Sequence, residues 1–326
     1  MSRPRDRWIE RIREMLERAG FYVAATTGAR PSSFDLVERR DSTLLLIKAL
    51  KNVDALDAQE AGRLQELGRL FPAIVLVLGQ RSGLAELEEG VVYTRYGVPI
   101  VNETTLREYL EKALPPFLYA SPGGVFARID GARLRELRLA GGLSLGALAS
   151  VAGVSRRAIQ LYEEGQGAEA SVVERIEAHF DQPIARPVLL FETPRRAVPR
   201  GAKPTEPSEA EHPPAPTGDA LRDGVFRQLD GLGLEVTVTV RAPFDALARA
   251  QEILLTGVGS LRTATRRAEI LHGVARVAEG HAMFVVREQV HRDSIAGLPI
   301  LDVAELKRHR DRDELLEALA EREGES

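Results

Sequence analysis

The chain contains no cysteine, which excludes disulfide bonds, thiol catalysis and thiolate metal sites. It also has no run of about 18 apolar residues, and its first residues form a charged amphipathic pattern instead of an apolar signal core. Lysine occurs at only five positions, and the formal net charge of −4 excludes a wholly basic surface. A cytoplasmic protein that does not enter the membrane is therefore expected, and any contact with nucleic acid must be local.

Residues 134–165 carry the most specific functional pattern, LRELRLAGGLSLGALASVAGVSRRAIQLYEEG. The glycine pair at 141–142 ends a first helix, because glycine tolerates the left-handed conformation found at helix C-termini. Ser144 is placed to cap a second helix and Ser155 a third, because a serine hydroxyl accepts a free amide of the first turn. Gly153 between these two helices allows a tight turn. The spacing therefore predicts a helix-turn-helix.

The third helix, residues 156–163, is predicted to have one face for packing and one for contact. At about 100° per residue, its apolar face holds Ala158, Ile159 and Tyr162. The opposite face, near the N-terminal end, holds Arg156, Arg157, Gln160 and Leu161. Arginine binds guanine bidentately, glutamine binds adenine in the same way, and an apolar side chain contacts the thymine methyl group. The pattern indicates a recognition helix for the major groove of DNA.

The same stretch resembles the helix-turn-helix of Cro and phage-repressor proteins. The resemblance rests on LRELR at 134–138, GLS at 142–144, GVSR at 153–156 and EEG at 163–165. It implies that double-stranded DNA is the partner and that Ser144 and Ser155 lie among the DNA-binding residues. The sequence departs from the family at Leu145, where those repressors often carry a phosphate-contacting glutamine, and at Glu164. A helix-turn-helix that serves only for packing or dimerisation is the alternative.

A second pattern occurs twice, once on each side of the helix-turn-helix. GFYVAATTGARPSSFDLV at 20–37 corresponds to GLEVTVTVRAPFDAL at 233–247, and GVPIVNETTL at 97–106 corresponds to GLPILDVAEL at 297–306. Each copy is predicted to contain a helix, two strands, a helix, a strand, and then a short strand with a closing helix. We therefore expect two related α/β domains that flank an all-α DNA-binding domain.

The repeat resembles the restriction-endonuclease and Holliday-junction-resolvase fold. In that fold an aspartate and a following D/E-x-K motif hold magnesium, and the lysine positions or activates the attacking water. The resemblance places Asp35 and Lys48 at these positions in the first copy, but Leu46 stands where the second carboxylate belongs. In the second copy Asp245 is present, and the lysine position falls at 256–257, which reads Thr-Gly.

One carboxylate in each copy leaves a magnesium ion without most of its protein ligands. We therefore expect two degenerate nuclease-like domains with no catalytic residue, no metal and no cofactor. Glu38 or Asp41 can still supply the missing carboxylate. A metal-dependent nuclease that is guided to its site by the helix-turn-helix is thus the alternative function.

Residues 192–218 hold seven prolines and almost no large apolar side chain, a composition that cannot form a core. They are predicted to form a linker. The predicted parts of the chain are a first α/β domain at 1–115, a hairpin connector at 116–130, the helix-turn-helix domain at 131–191, the linker at 192–218 and a second α/β domain at 219–326.

The order of these parts resembles a family of archaeal transcriptional regulators with a Cro-like helix-turn-helix in mid-chain. The resemblance is carried by SSFDLVERRDSTLLLIKALKNVDAL, GVVYTRYGVPIVNETTL, PPFLYASPGGVFARIDGARLRELR and RAPFDALARAQEILLTGVG. It implies a sequence-specific DNA-binding regulator without enzymatic activity. Because one helix-turn-helix contacts only a few base pairs, we also expect a homodimer with two recognition helices, in which the flanking α/β domains supply the dimer contact. The alternative is a monomer, in which the two copies within one chain pack on each other. A protein-interaction scaffold is the third alternative.

Overall fold

The computed structural model describes residues 4–26, 32–191, 216–249 and 252–324. Its internal contacts divide the chain into two compact units. The first unit is drawn from positions 1–49, 62–75 and 193–326, and the second from positions 50–61 and 76–192. The predicted linker lies outside the described residues up to position 215, so it stays a prediction, as do the predicted domain boundaries.

The N-terminal α/β segment opens with a helix whose apolar residues recur at helical spacing. Trp8, Ile12 and Leu16 are almost completely buried and form its inner face. The strands that follow include the apolar run Leu44 to Ile47, which is buried on both faces of a sheet. The elements are α1 (Pro4–Arg18), β1 (Tyr22–Ala25), β2 (Leu36–Arg40), β3 (Thr43–Asn52), a 3₁₀ turn (Val53–Ala55), α2 (Ala58–Leu70), β4 (Ile74–Ser82), β5 (Ala85–Glu86), β6 (Val91–Arg95), β7 (Val98–Val101) and α3 (Glu103–Glu111).

The middle of the chain forms a mostly helical domain with a hydrophobic core of its own. The prediction of an all-α domain is wrong in one respect, because short strands at 168–169 and 185–186 pair with the strand at 124–129. Leu134, Leu148 and Ile159 come from three consecutive helices of this core, and Ala127 and Ile129 come from the strand before them. That strand and its neighbour form the hairpin that the sequence predicts around SPGG. The elements are β8 (Leu118–Ser121), β9 (Gly124–Ile129), α4 (Gly131–Ala140), α5 (Leu145–Ala152), α6 (Arg156–Glu163), β10 (Ala168–Glu169), α7 (Ala170–Phe180) and β11 (Ala185–Arg186).

The C-terminal α/β segment, residues 216–324, packs helices against a second sheet. Phe226 and Leu229 from its first helix and Leu315 and Leu319 from its last helix are buried in the same core as Met283. The elements are α8 (Ala220–Gly231), β12 (Glu235–Val238), β13 (Ala246–Arg249), β14 (Ile253–Gly259), α9 (Leu261–Val277), β15 (His281–Val286), β16 (Ser294–Ile295), β17 (Leu298–Asp302), α10 (Val303–Leu306) and α11 (Arg312–Gly324). In the part of the chain described above, no helix combines the length and apolar character needed to cross a membrane.

The two sheets have the same strand order over six strands. The first sheet begins β1-β2-β3-β4-β7-β6 and continues to β8-β9-β10, and the second sheet has the order β12-β13-β14-β15-β17-β16. In both, the first three strands pair antiparallel, β4 with β7 and β15 with β17 pair parallel, and the last pair is antiparallel. The sequence predicts two strands after each opening helix, whereas three are present. The additional strands, β2 and β13, are short and end in charged residues, and neither has an apolar run longer than three residues.

Within the first unit, the two α/β segments contact each other through matching residues. Arg39 of β2 donates from Nε to the carbonyl oxygen of Val277, at the end of α9, at 2.7 Å. Arg249 of β13 donates to the carbonyl oxygen of Leu70, at the end of α2. Because α2 and α9 occupy the same place in the order of elements, the two hydrogen bonds are reciprocal, as in a contact with two-fold symmetry.

Candidate nucleic-acid interface

Three residues set the boundaries of the helices in the helix-turn-helix. The Ser144 hydroxyl caps α5 by accepting the amide of Ala147 at 3.0 Å. The Ser155 hydroxyl caps α6 by accepting the amide of Ala158 at 3.1 Å. Between the helices, Gly153 adopts a φ of +68°, the left-handed conformation that ends α5. The predicted local structure is confirmed, while the role of both serines at DNA stays a prediction.

Helix α6 separates a packed face from an exposed face, as its pattern predicts. Ile159 is fully buried, and Ala158 and Tyr162 are half-buried beside it. The exposed face consists of Arg156, Arg157 and Gln160. Leu161 is half-buried and offers only part of its side chain to a partner. Polar groups that can bind base edges thus lie on the exposed face of α6, while its apolar face packs into the core and holds the helix in place.

The exposed face of α6 carries two guanidinium groups without acidic partners. In the described parts of the chain, neither Arg156 nor Arg157 forms an ion pair or a side-chain hydrogen bond. All their N–H donors therefore remain available to phosphate or base acceptors. Gln160 donates from Nε2 to Oε1 of Glu164 at 3.3 Å, a contact that must yield when the amide binds an external group.

A nearly buried ion pair holds α6 against α4. Arg138 donates from Nε and Nη2 to the two carboxylate oxygens of Glu163, and both side chains are only 11% exposed. Arg138 also donates from Nη1 to the carbonyl oxygen of Leu143 at 3.1 Å. Hydrogen bonding to Glu163 raises the pKa of Arg138 above its usual value. The pair fixes the orientation of α6 through a planar, bidentate contact.

At the first nuclease-like position, both charged residues already have protein partners. Asp35 accepts the amide of Ala49 at 2.8 Å and Nη2 of Arg5 at 2.7 Å through the same oxygen. Lys48, on the neighbouring strand β3, donates from Nζ to the carbonyl oxygen of Ser32 at 2.6 Å. The structure therefore brings the aspartate and the lysine to adjacent strands, and an arginine neutralises the aspartate.

Among the described residues, no further carboxylate joins Asp35 to form a metal site. Leu46, at the position of the missing acidic residue, is fully buried. Glu38 is also fully buried, and neither of its oxygens has a hydrogen-bond partner among the residues that the structure describes. This burial raises the pKa of Glu38 well above its usual value. Asp41 lies in the turn after β2, at a φ of +51°. Over the described ranges, no three His, Asp or Glu residues group as metal ligands. The residues present do not fit a magnesium ion.

The C-terminal segment repeats the arrangement with two arginines. Asp245 accepts hydrogen bonds through Oδ2 from the amide of Val258 at 2.8 Å and from Nη1 of Arg267 at 2.9 Å. Its Oδ1 forms an ion pair with Nη2 of Arg222 at 3.1 Å. Its side chain is only 11% exposed. Two guanidinium groups thus neutralise this carboxylate, and both of its oxygens already have protein partners.

In the C-terminal segment, a glycine stands at the position that corresponds to Lys48. The amides of Asp35 and Asp245 each donate to the adjacent strand, and these hydrogen bonds place Gly257 where Lys48 stands in the first segment. A Cβ atom at Gly257 would lie closer than 3.0 Å to the ring of Phe284. The aromatic ring thus fills the space that a lysine side chain needs.

Sequence reasoning did not identify the arginines that neutralise the two aspartates. Arg5 and Arg222 lie in the first turns of the helices that open the two segments, and Arg267 lies on α9. For Arg5 and Arg222, the sequence feature that could have indicated this role is an arginine near the start of each opening helix. The pairing of Arg267 with Asp245 becomes apparent only in the folded chain.

Comparison with known proteins agrees with this organisation. Residues 131–183 match the helix-turn-helix domain, and residues 5–116 match the PD-(D/E)XK superfamily domain. No solved structure matches the chain. The fold and the interface define a mixed α/β protein that combines a helix-turn-helix domain with a nuclease-like domain.

Full-length relatives identify the family. The chain is 36% identical over 315 residues to a protein of Natronomonas pharaonis, with 95% of this chain and 96% of the relative covered. It is 36% identical over 319 residues to a protein of Halorubrum lacusprofundi, with 96% of both covered. It is 35% identical over 324 residues to a protein of Methanocella arvoryzae, with 98% and 97% covered. Each bears the name "Putative HTH-type transcriptional regulatory protein". The chain belongs to this family of archaeal transcriptional regulators, and the predicted resemblance is confirmed.

Proposed function

We propose that the protein regulates transcription by sequence-specific DNA binding, with α6 in the major groove in the manner of Cro. The observation that carries the proposal is the pair Arg156 and Arg157 at the capped end of a helix that Ile159 anchors. Both are exposed, and neither has an acidic partner in the described part of the chain. Arginine and glutamine at such positions read guanine and adenine. We propose that the protein acts in the cytoplasm.

The test compares variants at a preferred DNA site selected from random duplexes by the full-length protein. Arg156→Ala or Gln160→Ala should each cost about 1–3 kcal/mol of binding free energy at that site and relax the base preference there. Lys112→Ala is the matched control, because it removes a positive charge from an exposed position at the end of α3. If both α6 variants bind selected and random duplexes like the parent, the recognition-helix assignment is wrong.

We also propose that neither nuclease-like position is catalytic. Arginines neutralise Asp35 and Asp245, where the fold family uses metal ions, and Phe284 fills the second lysine position. The full chain should leave duplex, branched and single-stranded DNA intact with magnesium or manganese. The adjacency of Asp35 and Lys48 favours the nuclease alternative, so metal-dependent cleavage that Asp35→Ala abolishes would establish it instead.

We further propose that the C-terminal segment is a second copy of the N-terminal domain and that the protein is a homodimer. The shared strand order and the reciprocal contacts of Arg39 and Arg249 support the duplication. These surfaces contact each other within the chain, which favours the monomer alternative, so a homodimer would have to form through other surfaces. Two recognition helices would then bind half-sites roughly 34 Å apart. Light scattering that gives the 35.8 kDa mass of one chain, with a DNA footprint lacking two-fold symmetry, would contradict the homodimer.

A further inference from the structure

The C-terminal segment contains a polar cavity of about 260 Å³ that is lined by residues of this segment alone. Its walls include the ends of β14 and β15 and the first turns of α8 and α9. β14 and β15 are parallel neighbours, and ligands of open α/β sheets bind outside the carboxyl ends of such strands. The volume lies below the range of drug-sized sites, about 300–1,000 Å³, so the cavity suits a small molecule.

The walls of this cavity carry charges of both signs. Arg222 and Arg287 contribute guanidinium groups, and Asp219 and Glu288 contribute carboxylates. Arg222 also contacts Asp245, whereas the guanidinium of Arg287 has no partner within the described ranges. The lining is formally neutral. A simple anion or a simple cation would therefore leave one pair of wall charges unmatched, whereas a ligand with both charges matches both pairs.

The remaining wall residues are small or apolar. The hydroxyls of Ser260 and Thr263 lie 3.0 Å apart and add hydrogen-bonding groups beside the charges. Leu221 and Val258 form an apolar wall. Oε2 of Glu288 accepts the amide of Leu261 at 3.0 Å, so this carboxylate is held in place before any ligand binds. A partly preorganised polar site of this kind loses less entropy on binding.

We propose that the cavity binds a small free α-amino acid as its zwitterion. The carboxylate of the ligand pairs with Arg287 and Arg222, since guanidinium groups bind carboxylates through paired hydrogen bonds. The ammonium group pairs with Glu288 and Asp219, and a short side chain lies against the apolar wall. The site is independent of the DNA-binding assignment, because ligand binding is measurable without DNA.

The test is titration calorimetry of the full-length protein with the common free amino acids at millimolar concentration. At least one small amino acid should bind, and its amide and its N-acetyl derivative should each bind about tenfold more weakly or less. Arg287→Ala and Glu288→Gln should each weaken binding by about tenfold or more. Glutamine at 288 retains an oxygen that accepts the Leu261 amide, so this variant removes charge with little change of structure. Arg262→Ala is the control, because this arginine is exposed on α9 and does not line the cavity.

Three results would overturn the proposal. The first is that no free amino acid binds. The second is that acetate, inorganic phosphate or an amino-acid amide binds as tightly as the free amino acid, which indicates a site for a single charge. The third is that Arg287→Ala and Glu288→Gln bind the amino acid like the parent, which places binding elsewhere on the chain.

Discussion

Arg39 and Arg249 make equivalent hydrogen bonds, each from its own α/β segment to the other segment. Each is the fourth residue of its strand and donates to a carbonyl oxygen at the end of the other segment's helix, Val277 for Arg39 and Leu70 for Arg249. Arg39 is also paired with Glu279 at 2.9 Å. Two identical subunits form such reciprocal contacts about a two-fold axis. Here both halves belong to one chain, so the contact does not depend on protein concentration.

Cleavage of the chain between the segments should not separate them. A protease is expected to cut first within residues 192–218, because proline-rich polar sequence has no core to protect it. The C-terminal fragment should remain folded and should co-elute with the rest of the chain in size-exclusion chromatography. Arg39→Ala combined with Arg249→Ala should promote separate elution, since each loses a charged hydrogen bond worth about 1.5–3 kcal/mol.

The control for this experiment is Arg227→Ala, an exposed arginine on α8 that bonds only to its own helix. Fragments of the parent that elute separately while folded would contradict the intrachain contact. A C-terminal fragment that unfolds when it is released would show that both segments fold as one shared domain.

Gly257→Ala should lower the free energy of unfolding by about 1–3 kcal/mol. The new methyl group would lie closer than 3.0 Å to the ring of Phe284, which is fully buried, so the core must shift to accommodate it. At Gly224 on α8, an added Cβ atom would meet nothing within 4 Å, and Gly224→Ala should instead stabilise by about 0.5–1 kcal/mol. Urea denaturation of the two variants distinguishes these opposite effects. Equal stability of both variants would refute the packing argument.

Glu163→Ala should destabilise the helix-turn-helix by about 3 kcal/mol, because it leaves the nearly buried guanidinium of Arg138 unpaired. Hydrogen–deuterium exchange of α6 amides measures the loss locally. The control is Glu136→Ala, which removes an exposed partner of Arg133 and should cost less than about 1 kcal/mol. A double-mutant cycle with Arg138→Ala isolates the pair. Unchanged exchange in α6 after Glu163→Ala would count against its anchoring role.

Glu38 should make the folded protein less stable as the pH rises. Burial raises the pKa of Glu38 in the folded state, so the folded chain holds this proton more tightly than the unfolded chain does. Its contribution to stability is complete below the unfolded pKa, about 4.3, and is lost as the pH rises through the folded pKa. Between those two pKa values the loss is about 1.4 kcal/mol for each pH unit.

Glu38→Gln removes this titration. The free energy of unfolding of the variant should therefore increase relative to that of the parent as the pH rises from 5 towards 8, which lies above the unfolded-state pKa of about 4.3. Urea unfolding followed by the fluorescence of Trp8, the only tryptophan, measures the difference. Glu66→Gln, at an exposed position of α2, is the matched control. A difference between parent and Glu38→Gln that stays constant with pH would show that Glu38 does not carry this proton.

The helix-turn-helix could be predicted because its signals are local. The hydroxyls of Ser144 and Ser155 act on amides three residues away, and Gly153 acts through its own backbone. The alternation of buried and exposed positions in α6 follows from helical geometry alone. These features depend only on residues within the motif, so they can be recognised without knowledge of the rest of the fold.

The environment of the two aspartates depends on distant residues and could not be predicted. Arg5 reaches Asp35 from 30 residues away, and Arg267 reaches Asp245 from 22 residues away. Sequence spacing alone does not bring such pairs together. The additional strands β2 and β13 were missed for a related reason, since their residues are held in place by neighbours on both sides of the sheet.

Strand β9 has a practical consequence for work with fragments of this protein. Ala127 and Ile129 belong to the hydrophobic core against which the helices of the helix-turn-helix pack, and Ile184 belongs to the same core. The range that matches the helix-turn-helix domain, 131–183, omits all three of these residues. A fragment cut to that range would expose apolar surface to water and tend to associate with itself. A useful DNA-binding fragment must therefore begin before Leu118 and extend past β11.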